Sequence, residues 1–152
     1  MERDLEKDFQ RVNIGGVFIA NAPTGATHIV FLEDNENNVL PIYIGAAEAF
    51  SIQTALEKIP YPRPLTHDLL LSIVEGLKFE ILKVVIDDLN DGIFFARLII
   101  RSNGEEHEFD ARPSDSLAIA ARCEVPVYVA NDVMETASVD RDSYVDKDSV
   151  RE

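Results

Sequence analysis

One cysteine, five lysines and no apolar run approaching membrane length are the first limits set by this 152-residue sequence. A lone Cys123 excludes an intrachain disulfide and suits a reducing compartment. It falls on the apolar side of a helical pattern, so it reads as a structural thiol and not as a nucleophile. The apolar runs break well short of the roughly 18 residues a membrane span needs. The first residues, Met1 to Asp8, are charged in both signs and carry no signal-peptide core. A cytoplasmic protein with no membrane partner is expected. Also missing are an H-E-x-x-H helix, a paired C-x-x-C, a P-loop and the basic-aromatic stripe of an RNA-reading sheet. His28 and His107 stand alone on predicted strands, which suits surface or half-buried positions better than ligation.

Positive charge is scarce as well. There are 28 acids against 14 bases, a net charge of −14, and arginine supplies nine of the bases. A chain that grips nucleic acid through phosphates usually carries the opposite sign. Acid excess with few lysines fits proteins adapted to high salt, where screening removes self-repulsion, so a halophilic source is expected. The alternative is an ordinary acidic protein whose ligand is not nucleic acid.

What is present is a periodic, globular pattern. The hydrophobic fraction is 46%, enough for one domain with a real core. Residues 1–11 read as a short helix or frayed end, 12–136 as the domain, and 137–152 as a mobile acidic tail. Strands are predicted at 12–20, with a bulge at Gly15-Gly16, and at 27–33 and 39–44. A helix follows over 45–58. Three alternating prolines force 59–64 into an extended path. Thr66 is placed to cap a helix over 66–77 whose apolar face is Leu69, Leu70, Ile73, Val74 and Leu77. Strands are predicted again at 79–86, 93–101 and 105–111, separated by a loop over 87–92 and a tight turn over 102–104. A helix at 114–122, a last strand at 125–129 and a short helix at 131–135 complete the pattern. Twice a hairpin runs into a small-residue helix with an acid in its first turn, Glu48 and then Asp115, which raises a duplicated half-domain. The fold class is α+β: a mixed, mainly antiparallel sheet with three to four helices packed on it.

The polar residues concentrate in two segments at predicted helix starts, Arg63-Pro64-Leu65-Thr66-His67-Asp68 and Asp110-Ala111-Arg112-Pro113-Ser114-Asp115. A helix entry needs only one small cap, so this density points to a shared cleft. Phosphodiester hydrolysis needs an activated water, charge stabilisation at phosphorus and a proton or metal for the leaving oxygen. Asp110, Asp115, Asp68 and Glu48 offer oxygen ligands for a divalent metal such as Mg or Mn. Arg63 and Arg112 offer bidentate phosphate clamps, and Ser114 a further donor. His67 offers a proton donor or acceptor. The structural alternative is that these groups cap helices and that Arg112 stitches two helix starts together through Glu48 or Asp115.

In this order and at this separation, the two segments resemble the bifunctional nuclease (BFN) domain family, whose members are described as acting on both DNA and RNA. The resemblance extends to Leu40-Pro41-Ile42-Tyr43-Ile44-Gly45 with Glu48 after it, and to Val85-Ile86-Asp87-Asp88-Leu89 followed by Asp91-Gly92. It implies a nuclease with little sequence preference. The competing reading is a non-enzymatic module that binds a small anion or a partner protein. Strands apolar on both faces, such as 93–100, call for a homo-oligomer, most simply a two-fold dimer.

Overall fold

The computed structural model describes residues 3–148. A short α1 (Leu5–Asp8) leads into an eight-stranded sheet, ordered β6-β5-β4-β7-β1-β2-β3-β8. The strands are β1 (Phe9–Ala22), β2 (Gly25–Glu33), β3 (Asn38–Ile44), β4 (Glu80–Asn90), β5 (Ile93–Ser102), β6 (Glu105–Ala111), β7 (Val127–Ala130) and β8 (Val139–Asp140). Every pairing is antiparallel except that of β4 with β7. The longer helices are α2 (Ala46–Glu57), α3 (Thr66–Gly76) and α4 (Pro113–Cys123); α5 (Asn131–Ala137) and α6 (Arg141–Asp148) are shorter. The α+β class and the mainly antiparallel sheet are as expected, and the six helices among the described residues, four of them sizeable, are roughly in line with the three to four expected.

The halves repeat. A shift of 67 residues carries β3 onto β6 and the start of α2 onto the start of α4. It also carries the bulge at Ile14/Gly16 in β1 onto the bulge at Ile81/Lys83 in β4. The sheet order mirrors this, with β1-β2-β3 and β4-β5-β6 running outward on either side of β7. α2 and α4 pack together above the sheet, so the first turns of the two equivalent helices become neighbours. The duplicated pattern suggested by the sequence is therefore visible in the architecture.

Burial explains the continuous apolar runs. Ile29, Val30, Phe31 and Leu32 of β2 are all fully buried because both faces of that strand are covered. Val30 and Leu32 join the main core under the helices, whereas Ile29 and Phe31 face a second cluster. Phe18 stacks on Phe31 there, and Tyr144 of α6 meets Phe31 edge-on. The segment 137–152, expected to be a mobile tail, thus holds β8 and α6 in its described part. Arg141 adds an ion pair to Glu33. Polar composition hid this because only Val139 and Tyr144 of that segment pack on the cluster. Residues 149–152 lie outside the described residues.

Three other expectations change. β4 runs to Asn90, and the loop over 87–92 shrinks to Asp91-Gly92, both at positive φ as a tight hairpin turn requires. α3 buries little of the face predicted for it. Leu71 is its buried apolar residue and Val74 packs half-buried against the core, whereas Leu69, Leu70, Ile73 and Leu77 are exposed. Its cap is also different. Leu65 is the N-cap in place of Thr66, and its N–H donates to the Asp68 carboxylate. Cys123 is half-buried against the core, and burial pushes its thiol above the ordinary value, as suits an inert side chain.

Candidate functional site

The two helix starts that the duplication brings together define the site. Gly45 is the N-cap of α2 and Arg112 that of α4, and neither helix has a side-chain cap. Their free N–H groups therefore face the same region with a positive end dipole. Glu48 and Asp115 occupy the same position in the two first turns, and both accept from Arg112. Arg112 Nε donates to Asp115 Oδ2 at 2.8 Å, and Nη1 reaches Glu48 Oε1 at 3.4 Å. The Arg112 side chain is still 64% exposed, so its other N–H donors remain open to an anion. Gly45 has a local reason to be glycine: a Cβ there would stand 2.6 Å from Glu48 Oε1.

A second chain of bonds holds Asp115 from behind. His67 Nε2 lies 2.9 Å from Asp115 Oδ1, and His67 Nδ1 lies 2.7 Å from Ser51 Oγ. An ionised carboxylate only accepts, so Nε2–H donates to Asp115; in the neutral ring Nδ1 then accepts from the Ser51 hydroxyl. The order Ser-His-Asp imitates a nucleophilic triad. Ser51 is only 5% exposed and lines neither hollow beside Arg112, so its hydroxyl orients His67 and does not attack. Burial pushes the Asp115 carboxyl up. Hydrogen bonds from Arg112 and His67 outweigh that and hold it below the ordinary 3.8. The Asp115 hydrogen bond and charge, with Glu48 adding to them, hold the Arg112 guanidinium above its ordinary value.

Asp68 faces the other way. Arg122 Nε donates to its Oδ1 at 2.7 Å, and Arg122 Nη1 donates to the carbonyls of Ser51 and Ala118. This buried arginine ties α2, α3 and α4 together. The Arg122 hydrogen bond holds the Asp68 carboxyl below its ordinary value. Asp68 is therefore a brace for the site and not a wall of it.

The two sequence segments thus meet through His67, Arg112 and Asp115, with Glu48 joining them. Asp110, on the edge strand β6 opposite Arg97, lines the same groove as His67 and Asp115 but bonds to neither. Arg63 sits exposed on the proline-rich link and is bonded to none of them. Ser114 is buried in the first turn of α4 and lines a hollow of about 430 Å³ beside Glu48 and Arg112. Ser51 and Arg122 escaped the sequence reading. Their signal was helical spacing, three residues after Glu48 and seven after Asp115, on the faces that meet.

Among the described residues no group of three or more His, Cys, Asp or Glu side chains is placed to hold a metal ion. The expected ligands Glu48, Asp110 and Asp115 are not gathered. Asp115 commits both oxygens to His67 and Arg112, Glu48 accepts from the same guanidinium, and Asp110 stands apart. The donor set does not fit a resident divalent cation. No described helix is long and apolar enough to cross a membrane.

The family model of the bifunctional nuclease domain matches residues 29–142, which include all four residues of the cluster. The chain belongs to the bifunctional nuclease domain family. A protein of Mycobacterium tuberculosis described only as uncharacterized is 39% identical over 117 residues, covering 77% of this chain and 70% of that one. Bifunctional nuclease 2 of Arabidopsis thaliana is 28% identical over 115 residues, covering 72% of this chain and 35% of its own length. Bifunctional nuclease 1 of Oryza sativa subsp. indica is 29% identical over 104 residues, 66% of this chain and 31% of its own. The matched region is thus about a third of each plant protein. These sources are a mycobacterium and plants, so nothing supports the salt-adapted origin expected from the charge.

Proposed function

We propose that this chain hydrolyses phosphodiester bonds in DNA and RNA with little sequence preference, at the Glu48–Arg112–Asp115–His67 cluster. The observation that carries the reading is Arg112. It is an exposed guanidinium aimed by two carboxylates and set between two helix N-termini that lack side-chain caps. Such a place suits a phosphate, and it suits better the extra charge that develops at phosphorus during displacement. The family's plant members named as nucleases support the same chemistry.

Arg112 and the N–H groups of α4 hold the non-bridging oxygens. A water attacks phosphorus, its proton passes to the Glu48 carboxylate, which meets Arg112 through Oε1 alone, and the P–O bond to the departing sugar breaks. The leaving oxygen takes a proton from solvent. His67 positions Asp115 through its Nε2–H, Asp115 in turn aims Arg112, and Ser51 fixes the ring. Each of these steps runs on the chain's own residues, so cleavage is expected to persist in chelator. The sugar 2′-hydroxyl takes no part, in keeping with action on both nucleic acids.

One observation favours the competing reading of a binding module. The Asp115 and His67 network is already closed, with every polar atom of both rings of contact engaged. Digestion of single-stranded DNA and of RNA, each with chelator and with added Mg or Mn, separates the two. Arg112→Ala and Asp115→Asn are expected to lower cleavage by two orders of magnitude or more, and Asp110→Asn by far less. Cleavage at the parent's rate in both of the first two variants would leave the module reading standing.

A further inference from the structure

We propose that the apolar groove between α3 and the β4–β5–β6 end of the sheet holds an unpaired nucleobase of single-stranded DNA or RNA while the neighbouring phosphate rests on Arg112. This rests on the nuclease reading and gives it a substrate class. The groove measures about 890 Å³, the size range of a small-molecule site. Phe79, Phe94, Phe95 and Phe109 line it, together with Leu70 and Leu77 of α3. Phe79, Phe95 and Phe109 are 37%, 40% and 49% exposed, so flat aromatic surface stands open to water. Every base has a π face, and stacking on such rings is tolerant of sequence and indifferent to the 2′-hydroxyl.

The polar end of the groove fixes the direction. His67, Arg112 and Asp115 line that end, so a base among the phenylalanines places the next phosphate beside the guanidinium. Arg112 supplies the charge complementarity that a purely apolar partner would leave unused. A paired duplex offers its base edges but not its faces, so only an unpaired or extruded base enters.

The test is fluorescence anisotropy with a short labelled phosphorothioate oligothymidylate, which resists cleavage. Its comparison probes are the same backbone carrying abasic sites and a blunt duplex. Phe95 and Phe109 stand outside the bonded cluster, and the double variant Phe95→Ala/Phe109→Ala is expected to weaken single-strand binding about tenfold or more. Phe109→Leu keeps apolar bulk without a stacking face and is expected to weaken it in the same direction. The parent should bind the abasic probe and the duplex as weakly as the double variant binds the oligothymidylate. Equal binding by parent and Phe variants, or by abasic and base-bearing strands, overturns the proposal. If light scattering shows a parent dimer that the Phe variants split with binding unchanged, the groove belongs to a second copy and the proposal falls. Loss of binding in Arg112→Ala alone leaves the nuclease reading intact and removes only the base site. A parent that binds none of the probes removes both.

Discussion

Arg112 joins groups that belong to opposite halves of the chain, and its two partners show how much of the site is electrostatic bracing. Asp115 is its neighbour by one helical turn, and Glu48 comes from the equivalent turn of the first half. Behind them Asp68 and Arg122 form a brace that reads out as acid sensitivity. The Arg122 hydrogen bond lowers the Asp68 carboxyl in the folded chain, so folding favours its ionised form. That contribution is fully present above the unfolded value near 3.8 and is lost as pH falls through the depressed folded value. Asp68→Asn should therefore unfold more easily in urea than the parent at neutral pH, with the gap closing as pH falls below the ordinary 3.8. A gap that stays constant on acidification would show that Asp68 acts through shape alone. At this scale the sequence was informative where charges crowd a helix start, as at His67, Arg112 and Asp115. It was silent about Ser51 and Arg122, which look like an ordinary mid-helix serine and last-turn arginine until α2 and α4 are laid side by side. It also could not separate Asp110 from Asp115, because a strand edge and a helix start five residues apart read as one polar segment.

Among the elements, α3 departs furthest from its pattern. The spacing of Leu69, Leu70, Ile73, Val74 and Leu77 describes an apolar face, and a lone helix in a globular chain normally turns that face inward. Here Leu71 reaches the core, and the predicted face divides into two stripes. Leu70, Val74 and Leu77 line the groove. Leu69 and Ile73, one turn apart, lie outside it at 53% and 54% exposure. Hydrophobic periodicity gives the width of an apolar face but not what covers it, so the helix was legible and its partner was not. A second copy of the chain would cover the outer stripe if a two-fold axis laid one stripe against another. Light scattering is then expected to give a dimer for the parent and a monomer for Leu69→Glu/Ile73→Glu, with circular dichroism showing the fold kept. A parent monomer at all concentrations would leave the stripe without that role.

For the whole molecule, the duplicated architecture and the net charge pull on different properties. The duplication fixes the site, because two equivalent helix starts meet at one place whatever the surface carries. Strand alternation and the two hairpins made that architecture partly readable, whereas β8 and α6 were hidden by their polar composition. The charge of −14 acts on the molecule through self-repulsion, which is strongest in dilute buffer. Screening sets in once the Debye length falls to about 10 Å, near 0.1 M salt. The melting temperature should therefore rise as salt goes from about 10 mM to about 1 M. Binding to a single strand should move the other way, because salt restores the counterions that a bound phosphate had released. Its steepness is set by the number of phosphates neutralised, at roughly 0.7 per contact on a double-logarithmic plot for single strands. A site that offers one exposed arginine and a helix start should give a slope of about −1, against about −10 for a protein that tracks a duplex backbone. Differential scanning fluorimetry and anisotropy over one salt series read both quantities. A steep slope would mean that the strand is gripped by a basic surface far from Arg112, and a melting temperature that falls with salt would mean that the acids are already paired.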